Sequence, residues 1–356
     1  MASIFIERME TCEDERFLAD FISLPKKVRE ERYSQGSASE AQVRKLIMWG
    51  HQNQAAFWLI KSEANEPIMR LGARLSPLLA GKGTIGFFEL DLKHSQAKEA
   101  FTMGIGEAIK WLLALGAQSV VAPVDLSTWF DYRFSVMSKN FFPRFSWEPT
   151  NPPEYLTLFK EAGFNDLAKY HSIFFPHFRI GQFCMGTGYM KSCYHRLMKQ
   201  GFKLRPFDQA NFLNKEIPTL HELSHEAFND SLLFEPIDVK TFSELYAAGK
   251  SYDSSPSAML IDPEDNIAGF IYAFYDGDYL VIKSLAIRKK YQGLKLSSGL
   301  IYNAVKQSFQ LKKKGTISAL VRAGIASEKI EKNSNKSGWF TSSHEYLLLE
   351  KGISHE

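Results

Sequence analysis

KSLAIRKKYQGLKLSSGL, residues 283–300, holds the end of an apolar strand, a basic glycine-containing loop and the start of a helix. The first N–H groups of a helix have no intrahelical partner, and the helix dipole adds positive potential there. Such a turn suits a phosphate or pyrophosphate. Arg288, Lys289, Lys290 and Lys295 surround it and would steer an anion inward. Taken alone, the same stretch also fits an ordinary strand–loop–helix crossover with an exposed basic loop.

The segments on either side give the turn its context. Residues 258–262 (AMLID) and 267–275 (IAGFIYAFY) predict a hairpin around Pro263-Glu-Asp-Asn266. Residues 279–287 (YLVIKSLAI) predict the next strand, 297–313 a long helix stopped by Gly315, 317–321 a buried strand and 346–350 a last strand. Before the hairpin lie a short strand at 202–205 and amphipathic helices at 211–229 and 239–249. The first half carries the same theme. Strands are expected at 55–61, 68–75 and 83–90, then a helix over 95–115, a buried strand at 120–123, a helix over 155–162 and a strand at 167–175. Residues 176–188 contain Gly181, Gly186 and Gly188 and read as a linker. The expected fold is therefore α/β with mixed sheets, in two halves. Each half is a mostly antiparallel meander followed by strand–helix–strand. The expected domains are 1–180 and 190–356.

In this order of elements the second half resembles the GNAT superfamily, the GCN5-related acyl-CoA N-acyltransferases. The family signature is Arg/Gln-x-x-Gly-x-Gly/Ala, and the matching positions are Gln292, Gly293, Leu294, Lys295, Leu296 and Ser297. Lys295 stands where the family has Gly, and Ser297 where it has Gly or Ala. The similarity spans about residues 200–350. GTIGFFELD, the helix through KWLLALG, AQSVVAPVD and NPPEYLTLFKEAGF resemble an N-terminal GNAT-like domain of tandem members. The resemblance implies that residues 292–298, Ser298 included, hold the pyrophosphate of acetyl-CoA or another acyl-CoA. It implies that Leu285, Ala286 and Ile287 hold the pantetheine and acyl groups, with a backbone N–H facing the developing oxyanion. It implies N-acylation of an amine, with a carboxylate, His or water chain taking the amine proton and Tyr346 as candidate acid for the leaving thiolate. The simpler reading of Tyr346 is a half-buried strand residue. Ile325 stands where some members carry an Asn. The first half, without the signature, is expected to have lost the cofactor and to help shape an acceptor site. A non-catalytic ligand-binding member of the same fold is the alternative.

A third reading comes from His221-Glu-Leu-Ser-His225, an HExxH pattern. On a helix, His221 and His225 would share a face and could hold zinc, with Glu222 as base and Glu244 as a further ligand. Against it, Leu220, Leu223, Ala227 and Phe228 fit the core face of an ordinary amphipathic helix.

The aromatic run from Trp129 to Trp147, including Phe141 and Phe142, reads as a loop covering a core or as pocket lining. A net charge of +3 gives no reason to expect nucleic acid or an anionic membrane surface. Three scattered cysteines fit no disulfide framework, and the first residues show no signal-peptide pattern. No uncharged apolar run approaches membrane-spanning length. A cytoplasmic protein with acyl-CoA and an amine as partners is the expectation.

Overall fold

The computed structural model describes residues 3–33, 39–136, 143–177, 180–248, 252–324 and 342–354. Phe141, Phe142, Ile325 and the polar tail 327–338 lie outside the described residues. The chain forms two compact units. Unit 1 comprises 1–137, 146–169 and 345–356, and unit 2 comprises 138–145 and 170–344.

Unit 1 begins with β1 (Ile4–Arg8), α1 (Glu15–Val28) and α2 (Glu40–Gln52). Asp14 caps α1 by accepting the Phe17 N–H, and Ser39 and Gln42 form a reciprocal capping box on α2. The meander β2 (Ala55–Ser62), β3 (Pro67–Leu75) and β4 (Lys82–Leu90) follows, then α3 (Ala97–Ala114), β5 (Ser119–Ala122), β6 (Phe134–Ser135) and α4 (Pro153–Glu161). Both faces of this sheet are covered, so its strands are apolar throughout rather than alternating. Trp58, Ile60, Met69 and Leu71 share one core cluster with residues of α3 and α4. Phe57 and Leu59, one residue out of phase, share another with residues of α1 and α2.

β7 (Asn165–Pro176) crosses from unit 1 into unit 2. Unit 2 continues with α5 (Ile180–Lys199), β8 (Lys203–Pro206), α6 (Ile217–Phe228), α7 (Val239–Ala248), β9 (Ala258–Ile261), β10 (Ile267–Asp276), β11 (Tyr279–Ile287), α8 (Leu296–Gln310) and β12 (Gly315–Arg322). Its strand order is β7-β12-β11-β10-β9-β8. Leu197, Leu296, Leu300 and Ala304 pack on Leu260, Ile271, Leu280 and Ile282 in one core. β13 (Ser342–Gly352) returns to unit 1 and pairs antiparallel with β5 from Leu349↔Ala122 to Gly352↔Ser119. Residues 345–356 thus sit in unit 1.

The expected repetition is present. In each unit an antiparallel meander is followed by a helix and by a strand parallel to the meander's last strand: β4 with β5, and β11 with β12. Even the irregularity repeats, because a β-bulge interrupts β3–β4 and another interrupts β10–β11. The expected linker at 176–188 is wrong, since residues 180–199 are helical. The glycines weaken this helix locally, but tertiary packing decides. Leu197 Cδ1 fills the space beside Gly299 of α8, where a Cβ would come within 2.5 Å of it.

Candidate functional site

β11 pairs in parallel with β12 only from Tyr279 to Ile282. Past that point it keeps β10 on one edge, with Leu285, Ala286 and Ile287 opposite Ile271, Phe270 and Gly269. The parallel ladder therefore opens just where the predicted acyl-binding residues lie. The chain then makes a short 3₁₀ turn at Lys289–Tyr291 and enters α8 at Leu296. Gly293 has φ +85° and Lys295 has φ +64°, ψ +26°, both left-handed. That conformation favours Gly, because a side chain there crowds the backbone. Lys295 adopts it nonetheless, so the turn keeps its path and gains a cation at the mouth of the helix. No side chain caps α8. Of its first turn, Ser298 N–H reaches back to Lys295 O at 3.2 Å. Leu296 is buried and anchors the helix, Ser297 and Ser298 are half-buried, and Leu294 is exposed.

Several contacts hold the loop. The Tyr291 hydroxyl donates to Asp262, and this bond together with Asn266 and Glu264 N–H groups holds the Asp262 carboxyl down near 2. Arg196 donates to Leu294 O at 3.4 Å. The basic residues divide into two groups. Arg288 bridges Glu222 at 2.8 Å and Glu226 at 2.7 Å, and Lys289 meets Asp230 at 3.3 Å. Their charge is largely cancelled within the unit. Lys290 lies over the Tyr291 ring, 4.5 Å from its centroid. Lys295 makes no ion pair among the described residues, so it is the cation best placed to meet an anion at the α8 start.

The zinc reading is overturned. His221 Nε2–H donates to Ile237 O at 2.7 Å. His225 Nδ1–H donates to His221 O at 2.8 Å, while its Nε2 accepts the Ile237 N–H at 3.0 Å. Both His225 nitrogens and the outward nitrogen of His221 are thus committed to backbone, and burial lowers the His225 pKa. Glu222 is engaged by Arg288 rather than poised as a base. Among the described residues no group of His, Cys, Asp and Glu is arranged to hold a metal ion. The pair ties α6 to the segment before α7.

Tyr346 lies on β13 in unit 1, in register with Ser135, and is completely buried. The cofactor-loop residues lie in unit 2. The candidate acid and the candidate loop are therefore not brought together within one unit.

Unit 1 carries the feature that sequence reading missed. β4 pairs with β5 only over Lys82–Thr84, and the gap beyond is filled by the chain itself. Val124 N–H donates to Ile85 O at 2.8 Å, and Gly86 is packed so closely that a Cβ would lie 2.2 Å from Val124 O. Phe87, with φ +51°, donates its N–H to Asp125 Oδ1 at 2.6 Å. Beside this closed splay lies a cavity of about 690 Å³ lined by α1, α2, β4 and the segments 123–134 and 147–155. Its floor is charged. Arg29 grips Glu89 with two hydrogen bonds, one of 2.9 Å, and donates to Tyr33 O at 3.1 Å. The Tyr155 hydroxyl lies 3.2 Å from Glu89 Oε2 and accepts the Leu90 N–H at 3.0 Å. Burial alone would lower the Arg29 pKa, but Glu89 more than reverses this and raises it. Burial, then neighbouring Asp131, pushes Asp125 up to about 7 against the pull of the Phe87 N–H. Burial brings Arg70 down to about 10, still a cation at neutral pH. A signal was available: Arg70 interrupts one apolar strand and Glu89 another.

No protein-family model and no curated protein matches the chain. Solved structures do. A conserved protein of unknown function from Enterococcus faecalis V583 superposes with a TM-score of 0.60 at 7% identity, covering 99% of this chain and 73% of that one. The GCN5-related glucosamine N-acetyltransferase region of a fungal multi-domain GH3 β-N-acetylglucosaminidase gives 0.57 at 9% identity, with 99% of this chain matched to 38% of that one. A tandem GNAT protein from the clavulanic acid biosynthesis pathway gives 0.53 at 7% identity, covering 99% and 100%. At such identities the likeness is one of fold. Among the described residues no helix is long and apolar enough to cross a membrane.

Proposed function

We propose that this chain, which carries the GNAT fold in tandem, binds acetyl-CoA or another acyl-CoA at the β11–α8 turn of unit 2 and transfers the acyl group to a primary amine. The observation that carries this reading is the backbone of the turn. Gly293 and Lys295 are left-handed, an uncapped helix start follows, and β11 has just parted from β12. N–H groups of Leu296 and Ser297, the Ser298 hydroxyl and the Lys295 ammonium receive the pyrophosphate. The strand end at Leu285–Ile287 aligns the acyl group along the open edge of β11. In the reaction the amine nitrogen bonds to the thioester carbon, the carbon–sulfur bond breaks, the amine proton passes to water and the thiolate is protonated in turn. The Tyr346 hydroxyl is buried in unit 1 and is given no step. Unit 1 binds no acyl-CoA in this reading, because Asp125 and Val124 fill its splay. A reducing, cytoplasmic setting suits the free Cys12 and Cys193.

A second reading, a GNAT-fold protein that binds acyl-CoA without consuming it, is motivated by Lys295, which stands where the resembling family has Gly. Acetyl-CoA that stays intact through an amine screen would select it. Substitution tests the placement common to both readings. Lys295→Glu is expected to weaken CoA about tenfold or more, measured calorimetrically, because it puts a negative charge beside the pyrophosphate. Lys295→Gly relieves the left-handed strain but removes the cation, so affinity should fall while the melting temperature rises. Unchanged affinity in Lys295→Glu would remove the pyrophosphate from this turn.

A further inference from the structure

Between Asp166 and Asp208 the chain has no acidic residue but seven Lys and Arg. The whole chain is nearly balanced, with 43 Lys and Arg against 40 Asp and Glu, so this run stands apart from it. α5 lies in the middle of the run. Lys203 and Arg205, just beyond the helix, are answered by Asp265 and Glu216. Lys191, Arg196 and Lys199 of α5 are exposed and have no ion pair among the described residues. A helix that displays cations without counter-charges favours anions at its surface.

Packing decides which of the three meets the β11–α8 turn. Gly299, in the first turn of α8, lets α5 come close: a Cβ there would lie 2.5 Å from Leu197 Cδ1 and 3.6 Å from Tyr194 Cα. The Tyr194 and Tyr302 rings meet with centroids 5.4 Å apart. This crossing brings Arg196 to Leu294, one residue before Lys295. A single terminal nitrogen, Nη2, makes both of its hydrogen bonds, to Leu294 O at 3.4 Å and to Cys193 Sγ at 4.0 Å. Those contacts tether the guanidinium to the loop. Its Nε and Nη1 make no hydrogen bond among the described residues, so the group keeps donors for an acceptor from outside. A guanidinium suits a phosphate particularly well, because several donors can point at one set of oxygens.

The turn already serves one pyrophosphate with the Leu296 and Ser297 N–H groups, the Ser298 hydroxyl and the Lys295 ammonium. Arg196 stands on another helix and adds a second cationic point, next to exposed Leu294. A ligand that meets both points carries phosphate in two places. CoA does so: besides the pyrophosphate it has a separate 3′-phosphate on the ribose, which bears close to two negative charges at neutral pH. Dephospho-CoA keeps the pyrophosphate and lacks the second group. Resting on the acyl-CoA reading of the β11–α8 turn, we propose that Arg196 receives the 3′-phosphate and makes this chain select acyl donors that carry it over the same thioester on dephospho-CoA.

The test is calorimetric titration of the whole chain with CoA and with dephospho-CoA, at one ionic strength because salt screens exposed charges. The parent should bind CoA about tenfold more tightly than dephospho-CoA, the lower end for hydrogen bonds to a charged group. Arg196→Gln should weaken CoA by about the same factor and leave dephospho-CoA unchanged, so that the preference disappears. Lys295→Glu should weaken both ligands alike, because the pyrophosphate is common to them. Equal affinity of the parent for the two ligands would overturn the assignment and leave the acyl-CoA site standing. So would equal losses on both ligands in Arg196→Gln, which would mean that Arg196 only supports the loop. Failure of the parent to bind either ligand would overturn the site and the assignment together.

Discussion

Arg29→Met is expected to destabilise unit 1 by about 3–5 kcal/mol, since it strands a buried carboxylate. Glu89 is 1% exposed, and two of the hydrogen bonds to it come from Arg29. Without them Glu89 keeps the Tyr155 hydroxyl at 3.2 Å and a distant Coulombic partner in Arg70. Those contacts cannot replace a bidentate guanidinium in a site that water reaches poorly. Glu89→Gln combined with Arg29→Met should recover a large part of the loss, because the unpaired charge is then gone. Urea denaturation followed by tryptophan fluorescence gives both numbers. A loss below about 1 kcal/mol in the single variant, the range of exposed pairs, would mean that the pair is solvated and the cavity floor is not buried.

Asp125→Asn is expected to act in the opposite direction. Burial and Asp131 raise this carboxyl from 3.8 to about 7. A carboxyl whose folded-state pKa lies above its unfolded value binds its proton more tightly when folded. Below about pH 4 both states are protonated and no penalty exists. Between the unfolded and folded values stability falls as pH rises, and above about pH 7 the full penalty of the buried charge applies. The ceiling is about 4 kcal/mol at 1.36 kcal/mol per pH unit. Asp125 keeps some exposed surface, so about 2 kcal/mol is the expected size. Asn keeps an oxygen for the Phe87 N–H and never ionises. The variant should therefore be about 2 kcal/mol more stable than the parent at pH 8 and indistinguishable from it at pH 4. A gain that is equal at both pH values would show that ionisation of Asp125 is not its cause.

Much of the architecture was legible in the sequence because the strands of each unit are apolar, of ordinary length and separated by strong turns. Residues 55–61, 68–75 and 83–90 were read within a residue or two of Ala55–Ser62, Pro67–Leu75 and Lys82–Leu90. The duplication could be read from the order of elements alone. What failed had specific causes. Gly181, Gly186 and Gly188 argued locally against the helix Ile180–Lys199, which packing on α8 sustains. The position of β13 in unit 1 depends on pairing with β5 across more than two hundred residues of chain, about which local periodicity is silent. HExxH satisfied a spacing rule, but the ring nitrogens were already spent on Ile237 and His221 backbone. In the candidate site, Lys295 was read both as a cation and as a departure from the family's Gly, and its backbone conformation, left-handed at φ +64°, could not be read from spacing. The charged cavity of unit 1 escaped notice because its members come from α1, β3, β4 and the segment after β5, far apart in sequence.

The central claim is that unit 2 holds the acyl-CoA and unit 1, its splay filled by Asp125 and Val124, does not. Calorimetric titration of the whole chain with acetyl-CoA, and separately with CoA, counts the sites directly. One site per chain, weakened in Lys295→Glu, is the predicted result. Two sites, or none for either ligand, would contradict it.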